Sequence, residues 1–549
     1  MNKFSLLSLI ALGFALISCG GGGGASSGSG TPPVNPPPGN TASGYTLLAW
    51  SELGMHCIDG KDYSVMSILP PYNTVHAQLV KQAEPPQIIT SDVTITYEAV
   101  ADVSGSANTS SASKTNFWTY VTALFLASPA PDMGLAGNAV QSLKPHPLAY
   151  NTAQSWWEAV GIPTMPYDDN GNRNAYPMAR IVARDAQGNQ LAEARIVLAV
   201  SDELSCNNCH GSNSNALAQP TAGWENNPDT HKDTGFNILK RHDDKHDISG
   251  LLPSLTAKGY NYQASLYQTA KAGTPILCAA CHATNALGAP GLPNIKPVTE
   301  AMHSMHSSQV NPSTGTTLDN ATTPEGSCYL CHPGVQTKCQ RGAMGKVACF
   351  DCHGNLSAVG AKGRRGWLDE PSCQMCHNSS TRFLTTFAAP GVLRTTSDGT
   401  FATTSDVPAK GASLFRFSTG HGSLHCGACH GAPHAEFPTS QPNDNVYSTM
   451  MQSYPGKIME CSICHTSTPP GASGGPHNLH AIGQTWVSGH KQYAKDSAIQ
   501  CSYCHGPDYR GMSLSQTKTA RTFSVEGGSK TFASGVAVGC YDCHNGPTG

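Results

Sequence analysis

Nine segments of the chain match C-x-x-C-H, and any fold it adopts must present all nine. They are Cys206, Cys209 and His210; Cys278, Cys281 and His282; Cys328, Cys331 and His332; Cys349, Cys352 and His353; Cys373, Cys376 and His377; Cys426, Cys429 and His430; Cys461, Cys464 and His465; Cys501, Cys504 and His505; and Cys540, Cys543 and His544. The chain holds 21 Cys and 23 His in 549 residues. A shuffled chain of that composition yields roughly 0.03 such matches, so the set is not accidental. Two thiols three residues apart reach the two vinyl groups on one side of a haem and form thioethers. The adjacent His then lies under the iron as its proximal ligand. Zinc also takes Cys and His, but a zinc site does not require the fixed Cys-His dipeptide nine times. Disulfides within such close pairs are strained and leave the His without a role. The expectation is nine covalently bound haem c groups.

The motifs consume nine His and leave fourteen. Candidate distal ligands are His56, His76, His231, His242, His246, His303, His306, His421, His425, His434, His477, His480 and His490; His146, between two prolines, is not counted among them. His242/His246 and His421/His425 are spaced i,i+4, and His303/His306 and His477/His480 are spaced i,i+3. On a helical turn each pair shares a face, so each could serve two neighbouring haems, or one member could bond a propionate. Met is the competing sixth ligand and raises the potential. With His in surplus the haems are expected to be mainly bis-His and of low potential.

Cys57 and Cys339 remain after the motifs and Cys19. A disulfide between them, stapling the region before the motifs to the region that carries them, is expected in an oxidising compartment; a free thiol or an unusual ligand is the alternative. Lys338, Arg341, Lys346, Lys362, Arg364 and Arg365 cluster around Asp351. They are read either as partners of haem propionates or as a docking patch for an acidic redox protein.

The start reads as an export signal over residues 1–18: Lys3 is followed by an apolar run over residues 6–17, shorter than the ~20 residues a membrane-spanning helix needs. The run ends in Leu16-Ile17-Ser18-Cys19, which resembles the bacterial lipobox and implies lipidation of Cys19. Gly20 follows it, which by that resemblance implies the outer membrane. Residues 19–43 are a Gly/Ser-rich then Pro-rich tether that can bury no core.

Residues 44–200 hold no motif and read as β-rich, a sandwich or barrel. Strands are expected at 45–50 and 93–97, where apolar residues alternate with Thr, and at 179–184 and 194–200 around a turn at 185–190. Residues 153–160 (AQSWWEAV) read as a helix with Trp156 and Trp157 inward. Residues 201–549 are loop-rich, with brief helices near 263–272 and 297–307, and must draw their core from haem. The formal net charge of −3 gives no basic surface for nucleic acid.

Nine CxxCH segments between residues 206 and 544, with the lipobox, resemble the multihaem c-type cytochromes of bacteria that respire on extracellular metals and electrodes. The resemblance implies an electron carrier rather than a substrate-converting enzyme, passing electrons towards extracellular acceptors. It also implies redox partners such as periplasmic or outer-membrane cytochromes, and a porin. Nine motifs in 339 residues leave about 38 residues each, which forces haems into near contact. Two other readings stand beside it. A multihaem reductase of a small nitrogen or sulfur oxyanion needs an open iron and acid-base groups; the chain lacks the C-x-x-C-K signature of ammonia-forming nitrite reductases. A subunit of a haem filament is the other.

Overall fold

The computed structural model describes residues 44–344, 347–370, 387–389, 392–393, 415–467, 480–512 and 515–547. The export signal, Cys19, the tether, Lys346, the motif of Cys373, Cys376 and His377, and His477 lie outside the described residues.

The N-terminal region is β-rich and antiparallel. Strands β1 (Tyr45–Ser51), β4 (Asn73–Lys81), β9 (Trp156–Ile162) and β8 (Ala149–Asn151) form one sheet in that order, with β5 (Gln87–Ile89) also on β4. A second sheet runs β11 (Gln190–Val197), β10 (Met178–Asp185), β6 (Val93–Val100) and β7 (His146–Pro147). The chain passes from β7 through Leu148 straight into β8, so one stretch serves both sheets and joins them at a corner. Leu47, Ala49, Val75, Ala77 and Leu79 of the first sheet share one core with Ile95, Tyr97, Ile181, Ala194 and Ile196 of the second. Two short parallel pairs engage this region at its C-terminal border and beyond it: β2 (His56–Cys57) with β12 (Val200–Ser201), and β3 (Met66–Ser67) with β13 (Ile276–Leu277).

The expected strands at 45–50 and 93–97 are present, and the expected hairpin is β10–β11. Its turn is fixed by Asp185 Oδ1, which accepts from the amides of Gln187 (3.0 Å) and Asn189 (2.8 Å), with Gly188 at φ 87°. Residues 153–160 differ from expectation. Asn151 Oδ1 accepts from the amides of Ala153 and Gln154, which makes a turn, and Trp156 begins β9 instead of a helix. Pairing with β4 (Ala77 opposite Trp157) then sends the two tryptophans to opposite faces, and Trp156 alone is fully inward.

In β6 the burial alternates, as a sheet with one covered face requires. In β1 and β4 nearly every residue is buried. Their second face is covered by the motif-bearing region: Thr46 Oγ1 donates to the Ile463 carbonyl, Gln82 Nε2 donates to the same oxygen at 2.8 Å, and the His425 amide donates to Gln78 Oε1 at 3.0 Å. Trp50 lies so close to Gly427 that a Cβ there would sit 2.7 Å from its ring. Position 427, inside the C-x-x-C-H segment, therefore has room only for Gly.

Helix α1 (Phe117–Phe125) lies within the β-rich region, between β6 and β7. Beyond β12 the chain is mainly short helices and loops, with a hairpin of Arg521–Val525 and Gly528–Phe532 near its end. Helices α2 (Asn207–His210), α3 (Thr230–Asp243), α4 (Leu252–Lys258), α5 (Leu266–Lys271) and α6 (Val298–Ser307) come first. The pieces expected near 263–272 and 297–307 are α5, started by Ser265 capping the Gln268 amide, and α6. Contrary to the expectation that this region must draw its core from haem, α3, α4 and α5 share an apolar core with α1 of the β-rich region, and it includes Phe117, Leu124, Leu239, Leu255 and Leu266. From residue 293 to 370, however, Leu318 is the only buried hydrophobic side chain among the described residues. No described helix is long and apolar enough to cross a membrane.

Candidate haem sites

Each C-x-x-C-H segment among the described residues is wound into a single helical turn or a helix end. The His amide donates back to the first Cys carbonyl at 2.9 Å in 206–210, 3.0 Å in 278–282, 2.8 Å in 328–332, 2.9 Å in 461–465 and 3.0 Å in 540–544. Cys349–His353 and Cys426–His430 are one-turn helices, and Lys491–His505 ends on its motif. Helical winding puts positions i, i+3 and i+4 on one side. Both sulfurs and the imidazole are thereby turned to the same face, as attachment to one flat macrocycle requires.

The motifs beginning at Cys206, Cys278, Cys328, Cys349 and Cys426 line one continuous cavity of about 2650 Å³. A pocket for one small ligand is about 300–1,000 Å³, so this space fits several large groups side by side. Its walls carry the motif cysteines and histidines together with distal candidates His242, His246, His303, His306, His421 and His434.

Six motif histidines face a second His. Ring centres are 6.3 Å apart for His210 and His306, 6.2 Å for His332 and His303, 6.0 Å for His353 and His434, 5.9 Å for His465 and His421, 6.1 Å for His505 and His480, and 5.8 Å for His544 and His490. Imidazole–metal bonds are about 2 Å, so two imidazoles on opposite sides of one metal have ring centres roughly 6 Å apart. The six separations match that span. His282 has His242 and His246 as neighbours, whose rings are 5.0 Å apart.

The supporting contacts orient these rings. On α6, His303 Nδ1 donates to the Thr299 carbonyl (2.8 Å) and His306 Nδ1 to the Met302 carbonyl (2.6 Å). Each ring is tied to the carbonyl one turn back, which leaves Nε2 as the nitrogen that could ligate a metal. His282 Nδ1 bonds the Lys296 carbonyl (2.7 Å), His505 Nδ1 the Val538 carbonyl (2.6 Å) and His480 Nδ1 the Ala481 carbonyl (2.9 Å). Burial lowers His210, His242, His332 and His480 from 6.5 to about 4, and His353 to about 3. They are neutral at pH 7, the protonation state that binds iron.

The remaining candidates are placed differently. His421 and His425 do not share a helical face: Gly422, at φ 60°, ends a single turn, and residue 425 is extended. His421 turns to His465, whereas His425 Nε2 donates to the Gln154 carbonyl (2.7 Å) and its ring packs on Trp50 and Trp156. His76 stacks on Trp156 at 3.9 Å in the same aromatic cluster. His231 lies over Gly60 near the start of α3. His56 is buried and lines the large cavity; its Nε2 has no partner, and its ring lies against Tyr72 and Trp367. His430 also lines the cavity, with Phe415 against its ring.

Cys57 and Cys339 are unbridged in the structure. Burial first, then the nearby Cys339, pushes the Cys57 thiol up. Their neighbourhood follows from the fold: Ser201, opposite Cys57 in the β2–β12 pair, hydrogen-bonds Thr337 at 2.7 Å. The basic cluster divides. Arg341 is buried in an ion pair with Asp444, at 2.6 and 2.9 Å, and donates to the Gly54 carbonyl at 2.6 Å, so it serves neither propionate nor partner. Arg365 pairs with Asp369 at 2.8 Å. Lys338 and Lys362 are exposed, and Arg364 borders the cavity. Sequence reasoning missed Glu84, whose carboxylate bonds His465 from 381 residues away. No local signal marks it.

Among the described residues no group of three or more His, Cys, Asp and Glu side chains is arranged to hold a bare metal ion. Residues 341–548 match the family model of the outer membrane cytochrome MtrC/MtrF-like, domains II/IV, and six of the nine motifs fall within the match. No curated protein and no solved structure matches the chain. By its motifs, and by this match over its C-terminal part, the chain resembles the outer-membrane cytochromes of metal-respiring bacteria.

Proposed function

We propose that the chain is an outer-membrane electron conduit carrying nine haem c groups, mainly bis-His. The single observation that carries this reading is the set of six motif histidines, each facing a second His across 5.8–6.3 Å. Haem, when bound, supplies the one-electron ferric/ferrous couple. The protein's part is to hold each group by two thioethers, to orient imidazoles such as those of His303, His306, His480 and His505 through their Nδ1 bonds, and to keep the groups close in a shared cavity. His242 or His246 serves opposite His282. His56 is left for one of the haems of His377 and His430. A cavity lined by five motifs supports hopping between neighbours with no acid-base residue taking part.

The family match supports an outer-membrane setting and redox protein partners. In this reading a lipid on Cys19 and the tether at 19–43 hold a β-rich domain (44–200) and a nine-haem domain (201–549) at the membrane. Electrons are delivered by another cytochrome, with or without a porin, and leave to an extracellular acceptor. Film voltammetry of the holoprotein tests this against the reductase reading. A broad reversible envelope at low potential, unchanged by nitrite, sulfite or hydroxylamine, is expected. A catalytic wave with any of them moves the assignment to a reductase.

We also propose that Cys57 and Cys339 form a disulfide in the exported protein, joining β2 to the loop before Arg341. Alkylation without reductant is expected to leave both unlabelled, and alkylation after reduction to label both. Labelling before reduction contradicts the bridge.

A further inference from the structure

The β-rich region reaches one haem motif directly. Just past β4, Ala83 pairs in parallel with His465, and Gln82 Nε2 donates to the Ile463 carbonyl at 2.8 Å. These contacts bring Glu84 beside the motif. Its Oε2 accepts from His465 Nδ1 at 3.1 Å and from Ser467 Oγ at 3.1 Å. Four other motif histidines differ: His282 and His505 donate to backbone carbonyls, and Nδ1 of His210 and of His544 is buried without a partner.

A carboxylate on the outer nitrogen differs from a carbonyl in kind. It draws the Nδ1 proton towards itself, so the imidazole becomes a stronger electron donor through Nε2. A stronger donor favours ferric over ferrous iron and lowers the reduction potential. The Glu84 side chain is 48 % exposed, so its net charge is partly screened by solvent. The directional hydrogen bond is not.

We propose that Glu84 is a positioning residue that holds the haem of Cys461, Cys464 and His465 at a lower potential than haems whose proximal His donates to a carbonyl. This rests on the haem reading above. It gives the β-rich region a share in the redox chemistry: a side chain just past β4 sets one step of the chain. That haem is then among the last to be reduced and the first to give its electron onward.

The test is a potentiometric titration of the holoprotein followed by EPR and resonance Raman, on the wild type, Glu84→Gln and Glu84→Asp. One haem's share of the signal is expected to move to higher potential in Glu84→Gln, with the others unmoved, and to return in Glu84→Asp. Ser467→Ala is expected to give a smaller shift in the same direction. Mass analysis of the peptide bearing Cys461 and Cys464 separates the role of Glu84 from the presence of the haem. Haem present there with superimposable titrations for wild type and Glu84→Gln overturns the role of Glu84 alone. A peptide without haem overturns the haem reading and this role together.

Discussion

Replacing His303 and His306 together with Ala opens two haems and turns both from low to high spin, while their thioether attachments persist. The cause is local to α6. The two residues are one turn apart on one helix, and each Nδ1 is tied to the carbonyl four residues back. Their rings face different motif histidines, His332 at 6.2 Å and His210 at 6.3 Å. In the proposed reading one helix thus supplies the sixth ligand to two haems whose motifs begin 122 residues apart in sequence, counting from Cys206 to Cys328. The single variants separate them: His306→Ala opens the haem of His210, and His303→Ala opens that of His332. His303→Met keeps six ligands but raises one potential, because thioether sulfur favours ferrous iron. EPR of the oxidised protein reads the spin states, and an unchanged haem increment over the variant polypeptide's own mass confirms attachment. Low-spin spectra in both single variants would show that α6 does not supply these ligands.

The largest expected loss of stability comes from Arg341→Ala. Arg341 Nε and Nη2 bond both oxygens of Asp444, Nη1 bonds the Gly54 carbonyl, and the guanidinium lies 4.9 Å over the Tyr176 ring. The side chains of Arg341 and Asp444 are only 1 % and 5 % exposed. Removing one member of a buried pair leaves the other charge uncompensated, at a cost of about 3–5 kcal/mol. Gly54 belongs to the β-rich region and Asp444 to the motif-bearing region, so the loss falls on their junction. Guanidinium titration followed by far-UV circular dichroism measures it. Replacing both charges by apolar residues of similar volume recovers most of it, since the desolvation penalty disappears with the charges. Arg365→Ala is the control. Its pair with Asp369 leaves the Arg side chain 38 % exposed, and its removal costs no more than about 1 kcal/mol.

The sequence displayed the covalent chemistry and hid most of the geometry around it. The motif is local, so C-x-x-C-H announces its own helical turn. The spacing of His303 and His306 announces a shared helix face in the same way, because both lie in one uninterrupted helical segment. His421 and His425 have similar spacing, yet Gly422 breaks the turn between them, and one faces His465 while the other joins a tryptophan cluster. The alternation in β6 is legible because one of its faces meets solvent. Residues 153–160 mimic a helix because Asn151 makes a turn through side-chain bonds that no periodicity reports. Contacts that depend on chain sections hundreds of residues apart leave no trace at all. Arg341 with Asp444, Glu84 with His465, and Trp50 against Gly427 exist because the β-rich region packs onto the motif-bearing region. The basic cluster around residue 350 shows the same limit, since charge counting along the chain cannot tell a buried ion pair from a docking surface.

The proposed conduction depends most on how many haems the chain carries and how their irons are ligated. Mass analysis of the exported protein, joined to an EPR-monitored redox titration, measures both at once. A nine-haem, mainly bis-His conduit predicts a mass increase of nine haems and low-spin iron throughout a broad window at low potential. Fewer haems, or a high-spin haem in the untreated protein that binds nitrite, sulfite or hydroxylamine, would contradict it.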